Sequence, residues 1–220
     1  MSDNVQAARL RGLYAITPEH LVRAPERLMP AVHSALRGGI ALLQYRDKWN
    51  PPPQRAALAR DLQALCRGFS TPLIVNDDTA LAAQIGAAGV HLGNSDGEID
   101  AARATLGAAA LVGATCGNSL DRARAAVDAG ASYVAFGRYF ASQSKPDAPP
   151  AELRTLGLAR QALRVPVCAI GGVTPANAPA LIAAGAELIA AIGGVFGHAG
   201  DAAHDVEAAV HAYRRCFEAA

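Results

Sequence analysis

Short apolar runs alternate with helix-period segments eight times along this chain, and that alternation limits the fold more than any other feature. The runs are Gly12–Thr17, Ile40–Arg46, Leu73–Asp77, Gly89–Gly93, Leu111–Cys116, Tyr133–Gly137, Val165–Gly171 and Leu188–Gly193. Each is apolar on both of its alternating faces, as a parallel strand covered by helices should be. Between them lie segments of helical period: Ala24–Leu36, Ala57–Phe69, Thr79–Ile85, Ile99–Thr105, Ala151–Leu163 and Asp205–Phe217. Two more are marked at their starts. Ser119 reads as the N-cap of a helix reaching Ala129, and Thr174-Pro175 opens one reaching Ala184. Pro51-Pro52-Pro53 is expected to delay the second helix until Gln54. No hairpin signal breaks the series. Gly38-Gly39, Gly86-Ala87, Gly130-Ala131 and Gly185-Ala186 each precede an even-numbered strand, a weak repeat of about two strand–helix units. An α/β fold follows: a single-domain (β/α)8 TIM barrel over 12–220, after a polar tail over 1–11. A doubly wound open sheet is the rival, and it lacks the Gly-rich turn expected after strand one.

Charge excludes several functions. Lys plus Arg number 20 against 19 Asp plus Glu, with no basic run, so neither a nucleic-acid surface nor a polybasic membrane patch is expected. Residues 1–11 lack the apolar core of a signal peptide, and no run approaches a membrane span. The chain is expected to work in the cytoplasm on small molecules. A homodimer is left open as a partner state. The four cysteines, Cys66, Cys116, Cys168 and Cys216, form no CxxC and read as reduced thiols rather than metal ligands.

A barrel of this kind carries its site at the C-terminal ends of its strands. Polar groups gather there. Strand one ends in Thr17, and strand two in Gln44-Tyr45-Arg46-Asp47-Lys48. Strand three ends in Asn76-Asp77-Asp78, strand four runs into Asn94-Ser95-Asp96, and strand five ends in Thr115. Strands seven and eight end in Gly171-Gly172 and Gly193-Gly194. Gln44, Arg46 and Lys48 alternate and so share a face; two cations there call for an anion, unless they merely reach out to water. Asp77 and Asp96 amid cations suggest Mg²⁺ on a diphosphate, with plain salt bridging as the alternative. The loop after strand six, Arg138–Pro146, reads as exposed and mobile, and it hangs Ser142, Ser144 and Lys145 over the strand ends, a set of donors suited to phosphate oxygens. The Gly-Gly pairs suit a phosphate held on backbone N–H groups. Two anions therefore enter the reading: a diphosphate near strands two to four, and a monophosphate at strands seven and eight. A reaction between them would expel pyrophosphate. His91, mid-strand, reads as a core histidine rather than a base. Trp49 either shields the mouth or packs.

Gly-Leu-Tyr-Ala-Ile-Thr, Leu-Gln-Tyr-Arg-Asp-Lys, Ile-Val-Asn-Asp, Gly-Val-His-Leu-Gly-x-x-Asp, Ala-Ile-Gly-Gly-Val and the Ser-x-Ser-Lys loop stand in register from Gly12 to about Phe196. Together they resemble the thiamine phosphate synthase family. The resemblance implies a Mg²⁺-assisted transfer of a hydroxymethylpyrimidine from its diphosphate to a thiazole phosphate, with pyrophosphate departing before the thiazole nitrogen attacks. It implies that Gln44, Tyr45, Arg46, Asp47, Lys48 and Asn76 hold the pyrimidine diphosphate, that Thr115 touches the pyrimidine, and that Lys145 meets the pyrophosphate. It places Mg²⁺ on Asp77 and Asp96, and the thiazole phosphate on Ser142, Gln143, Ser144, Gly172, Ile192 and Gly193. Arg46, Lys48 and Lys145 become the catalytic cations. The chain departs from the family at Ser142-Gln143-Ser144-Lys145, where Thr-x-Thr-Lys or Ser-Pro-Thr-Lys is usual, at Thr115, often Ser, and at Gly193, usually Ser. A thiazole tautomerase paralogue and a non-catalytic precursor-binding barrel are the competing functions.

Overall fold

The computed structural model describes residues 10–93, 98–141, 149–201 and 204–219. Eight parallel strands close into a barrel in chain order. They are β1 Gly12–Ile16, β2 Leu42–Tyr45, β3 Leu73–Asn76, β4 Gly89–Leu92, β5 Leu111–Gly117, β6 Tyr133–Phe136, β7 Val167–Ile170 and β8 Leu188–Ala191. Gly12 opposite Leu188 and Leu13 opposite Ile189 make the closing seam. The helices are α1 Glu19–Val22, α2 Pro25–Gly38, α3 Pro52–Gly68, α4 Thr79–Ile85, α5 Ile99–Leu106, α6 Leu120–Asp128, α7 Leu153–Ala162, α8 Ala178–Ala183, α9 Gly193–Phe196 and α10 Val206–Glu218. Among the described residues, no helix is long and apolar enough to cross a membrane.

Alternation along each strand sorts its side chains into two cores. Tyr14, Ile16, Leu42, Ile74, Leu111, Tyr133, Ala135, Cys168, Leu188 and Ala190 fill the barrel interior. Leu13, Ala15, Leu43, Tyr45, Val75, Val90, Val112, Val134, Val167 and Ile189 belong to the larger core shared with the helices. This is why the sequence pattern is apolar on both faces. The predicted cap at Ser119 forms, its side chain accepting from Arg122 N, and Asp205 caps α10 in the same way by accepting from Ala208 N.

The structure corrects three expectations. Helix α3 starts at Pro52, inside the proline run, because first-turn residues have no intrahelical N–H partner to lose. Helix α8 starts at Ala178, not at Thr174-Pro175. The intervening turn is held by Asn177, whose Oδ1 accepts from Thr174 N at 2.8 Å. Helices α1 and α9 are additional single turns, too short for a periodic signal, and α9 opens on Gly193-Gly194, which reads as a turn.

Candidate active site

The C-terminal strand ends of β1 to β5 converge on a polar rim. Thr17 is fully buried and fastens β1 to the loop after β2: its Oγ1 accepts from Arg46 N at 2.9 Å. Beyond it the Arg46 guanidinium lies 5.1 Å from the Trp49 ring centroid. Burial pushes the Arg46 guanidinium down from its ordinary range, while Asp77 and Glu19 nearby push it up. Arg46 makes no ion pair with any described residue. Lys48 does: its Nζ sits 2.8 Å from Asp77 Oδ2. Asn76 Nδ2 donates to the same oxygen at 2.6 Å, so both bonds fall on Oδ2. Asp77 holds a left-handed φ of 62°, unusual for a residue with a Cβ, and its N–H donates to His91 O at 2.9 Å. The rim therefore sets a carboxylate, two cations and an amide side by side, with oxygen donors of the kind a hard divalent cation takes.

Beneath the rim runs a chain of polar side chains through the barrel interior. Gln44 Nε2 donates to Tyr14 OH at 2.7 Å, and Tyr14 OH lies 2.8 Å from Tyr133 OH. Tyr133 OH is 3.1 Å from His91 Nδ1, and His91 Nε2 is 2.9 Å from Thr115 Oγ1. His91 is buried with both ring nitrogens engaged by the protein, the position a core histidine takes. The chain thereby connects Gln44 of β2 to Thr115 of β5.

Tyr45 and Asp47, both expected on the substrate, bond to each other. Tyr45 packs into the core shared with the helices, whereas Gln44, its neighbour on β2, bonds to Tyr14 inside the barrel. Tyr45 OH donates to Asp47 Oδ2 at 2.7 Å, and Asp47 Oδ1 accepts from Trp49 N at 3.0 Å and Asn50 N at 2.9 Å. Burial alone would raise the Asp47 carboxyl, but these bonds, together with the Asn50 side chain, carry it below the ordinary carboxylate range. The pair ties down the loop that presents Arg46 and Lys48.

On the other side of the rim, Gly172 and the Ile192–Gly193 pair follow β7 and β8. Gly172 O accepts from Asn177 Nδ2 at 3.2 Å, and the loop after β6 is pinned alongside by Phe140 N donating to Gly171 O at 2.9 Å. A Cβ on Gly193 would run into the His198 imidazole, so His198 occupies the space a side chain at that position would take. Sequence reasoning missed His198, and it named Thr17 only as the polar end of strand one. Ser142, Gln143, Ser144, Lys145 and Asp96 lie outside the described residues.

The cysteines hold no place in this rim. Cys66, Cys116 and Cys168 are buried, which pushes each thiol up to about 12, and Cys216 is half-buried. A cavity of about 250 Å³ lies at the opposite end of the barrel, between Arg11, Gly39, Arg214 and Phe217, remote from the polar rim.

Residues 13–195 match the family described as thiamine monophosphate synthase. The chain is 50% identical over 206 residues to a thiamine-phosphate synthase of Marinobacter nauticus, covering 94% of this chain and 90% of that one. It is 51% identical over 210 residues to a thiamine-phosphate synthase of Alcanivorax borkumensis, covering 96% and 95%. A solved structure described as thiamine phosphate pyrophosphorylase from Pyrococcus furiosus superposes with a TM-score of 0.84 at 31% identity, covering 98% of both chains. With the barrel and its rim, these matches place the chain in the thiamine monophosphate synthase family of transferases.

Proposed function

We propose that this enzyme joins 4-amino-2-methyl-5-hydroxymethylpyrimidine diphosphate to 4-methyl-5-(2-phosphoethyl)thiazole, or its carboxylate, to give thiamine phosphate and pyrophosphate. One observation carries the reading: Arg46 is a half-buried cation with no carboxylate at ion-pair distance among the described residues, set beside Lys48 and Asp77 at the barrel mouth. Such a cation has lost hydration without gaining an ion pair, and an anionic ligand restores the balance.

In the proposed reaction the bond between the pyrimidine methylene carbon and the diphosphate oxygen breaks, and its electron pair leaves with pyrophosphate. The thiazole nitrogen then donates its lone pair to that carbon, forming the new C–N bond. Arg46, Lys48 and Lys145 neutralise charge growing on the leaving group, an electrostatic contribution that is largest where water is excluded. Gln44, Asn76 and Thr115 hold the pyrimidine. Ser142, Gln143, Ser144, Gly172, Ile192 and Gly193 hold the thiazole phosphate. Tyr45 and Asp47 act by fixing the Arg46–Lys48 loop rather than by touching substrate.

The residues present fit a magnesium ion. Asp77 offers a half-buried carboxylate whose two protein bonds both fall on Oδ2, and Asp96 is the second expected ligand. When bound, Mg²⁺ would supply further neutralisation of the diphosphate oxygens.

A turnover assay with both substrates, with and without Mg²⁺, tests this reading. Thiamine phosphate and pyrophosphate in equal amounts, formed only with Mg²⁺, are expected. Product formed equally fast without metal removes the metal assignment. Thiazole isomerisation alone, or binding without turnover, removes the synthase reading.

A further inference from the structure

Position 193 carries no side chain, and His198 stands where one would be. A Cβ on Gly193 would collide with Cε1, Nε2 and Nδ1 of the His198 imidazole, so the ring edge that bears both nitrogens faces the end of β8. The chain is bent to bring the ring back. Gly197 N donates to Gly193 O at 2.9 Å, and Gly197 then takes a left-handed φ of 72°, a conformation that suits glycine. Asp201 Oδ2 accepts from His198 N at 2.6 Å, and Asp201 N donates to His198 O at 3.2 Å. Both backbone groups of His198 are therefore held. The residue is exposed, and its imidazole makes no hydrogen bond among the described residues.

The surroundings favour an anion. His20 of α1 and Arg27 of α2 approach from the β1 side of the mouth. Burial lowers the His20 imidazole, Arg27 and His198 lower it further, and Asp201 opposes them. Asp201 already commits its Oδ2 to the His198 backbone. His204, next along the chain, has its Nε2 2.9 Å from Val195 O and so bonds to the protein instead. The serine usual at position 193 would bring one hydroxyl to the end of β8. An imidazole in that volume brings one N–H donor when neutral, and two with a positive charge when protonated. Donors of this kind make their strongest bonds to charged oxygens.

We infer that His198 is a phosphate-contacting residue for the second substrate, supplying from the turn after α9 the donor that Gly193 lacks, and that it sets the preference for a phosphorylated thiazole over the free alcohol. The ring replaces a hydroxyl with a group of greater reach and variable charge. Specificity follows because an alcohol offers that group no anionic oxygen. The inference deepens the proposed function and rests on it for the identity of the phosphate; the contact between His198 and a phosphate group does not depend on turnover.

The test uses the full chain with isotope-labelled histidine, the His198 ring signals being assigned by their loss in His198→Ala. Titrating the wild type with inorganic phosphate at constant pH should shift those signals saturably. In steady-state assays His198→Ala should raise the KM for the thiazole phosphate about tenfold, the effect of one donor to a charged group. The KM for the pyrimidine diphosphate should stay where it is. The preference for thiazole phosphate over the thiazole alcohol, taken as a ratio of kcat/KM values, should fall by the same factor. His198→Gln keeps a donor at similar reach and should recover most of the loss. His198 signals that do not respond to phosphate overturn the inference. So does a His198→Ala variant that uses thiazole phosphate as the wild type does, or one whose use of phosphate and alcohol falls equally. A wild type that makes no thiamine phosphate sinks the proposed function, while the phosphate titration still decides the contact.

Discussion

The Lys48 ammonium lies 2.8 Å from the Asp77 carboxylate, across the rim between the ends of β2 and β3. The Lys48 side chain is 48% exposed and that of Asp77 22%, so water screens the pair and its contribution to folding is below about 1 kcal/mol. Its value lies in holding a cation and a carboxylate ready at the mouth of the barrel. Lys48→Ala is therefore predicted to lower turnover by about a hundredfold or more while shifting the unfolding free energy by less than about 1 kcal/mol. Steady-state rates and urea melts on the same preparations check this. Equal damage to both would make Lys48 a structural residue.

Asp47 is predicted to matter to folding instead. Its folded carboxyl lies below the unfolded value of about 3.9, so the unfolded chain binds the proton more readily. The stabilisation is thus present above that unfolded value and is lost as pH falls through the lower folded one. Asp47→Asn should cost about 1–2 kcal/mol at neutral pH, because the four donors around the carboxylate then meet an amide. The difference from wild type should shrink progressively below about pH 4 in melts followed across pH.

Tyr139, in the loop after β6, buries its hydroxyl oxygen with no hydrogen-bond partner among the described residues. Tyr139→Phe removes no bond and sheds the desolvation of that oxygen. Stability should hold or rise by up to about 1 kcal/mol in denaturant titrations. A loss of more than that would mean the hydroxyl is paired.

Gly193 and His198 compete for one volume. Gly193→Ser alone should displace the imidazole and weaken use of the thiazole phosphate. Adding His198→Ala should recover part of that loss, because the hydroxyl then has room. A double-mutant cycle on the thiazole-phosphate KM reads the coupling, expected at about 0.5–3 kcal/mol for residues in contact. Strict additivity would contradict the packing.

The parts of this architecture carried by local pattern were legible in the sequence. The two-residue period that turns Gln44 into the barrel and Tyr45 toward the helices is plain alternation along β2. The Ser119 cap is local chemistry. What was not legible depends on closure. Tyr14 and Tyr133 stand 119 positions apart and meet because the barrel folds β1 and β6 around one interior. Their path to His91 and Thr115 has no signature in spacing. His198 reaches Gly193 because the chain turns back after α9, a turn that begins in a two-glycine helix no periodicity marks. The proline run misleads for a related reason: proline forbids a helix interior but suits its first turn.

The most direct test of the central claim is a crystal of this chain soaked with pyrophosphate and Mg²⁺. The account predicts pyrophosphate at the mouth of the barrel against Arg46 and Lys48, with the ion on Asp77. Pyrophosphate bound elsewhere, or a rim left vacant at saturating concentration, would contradict it.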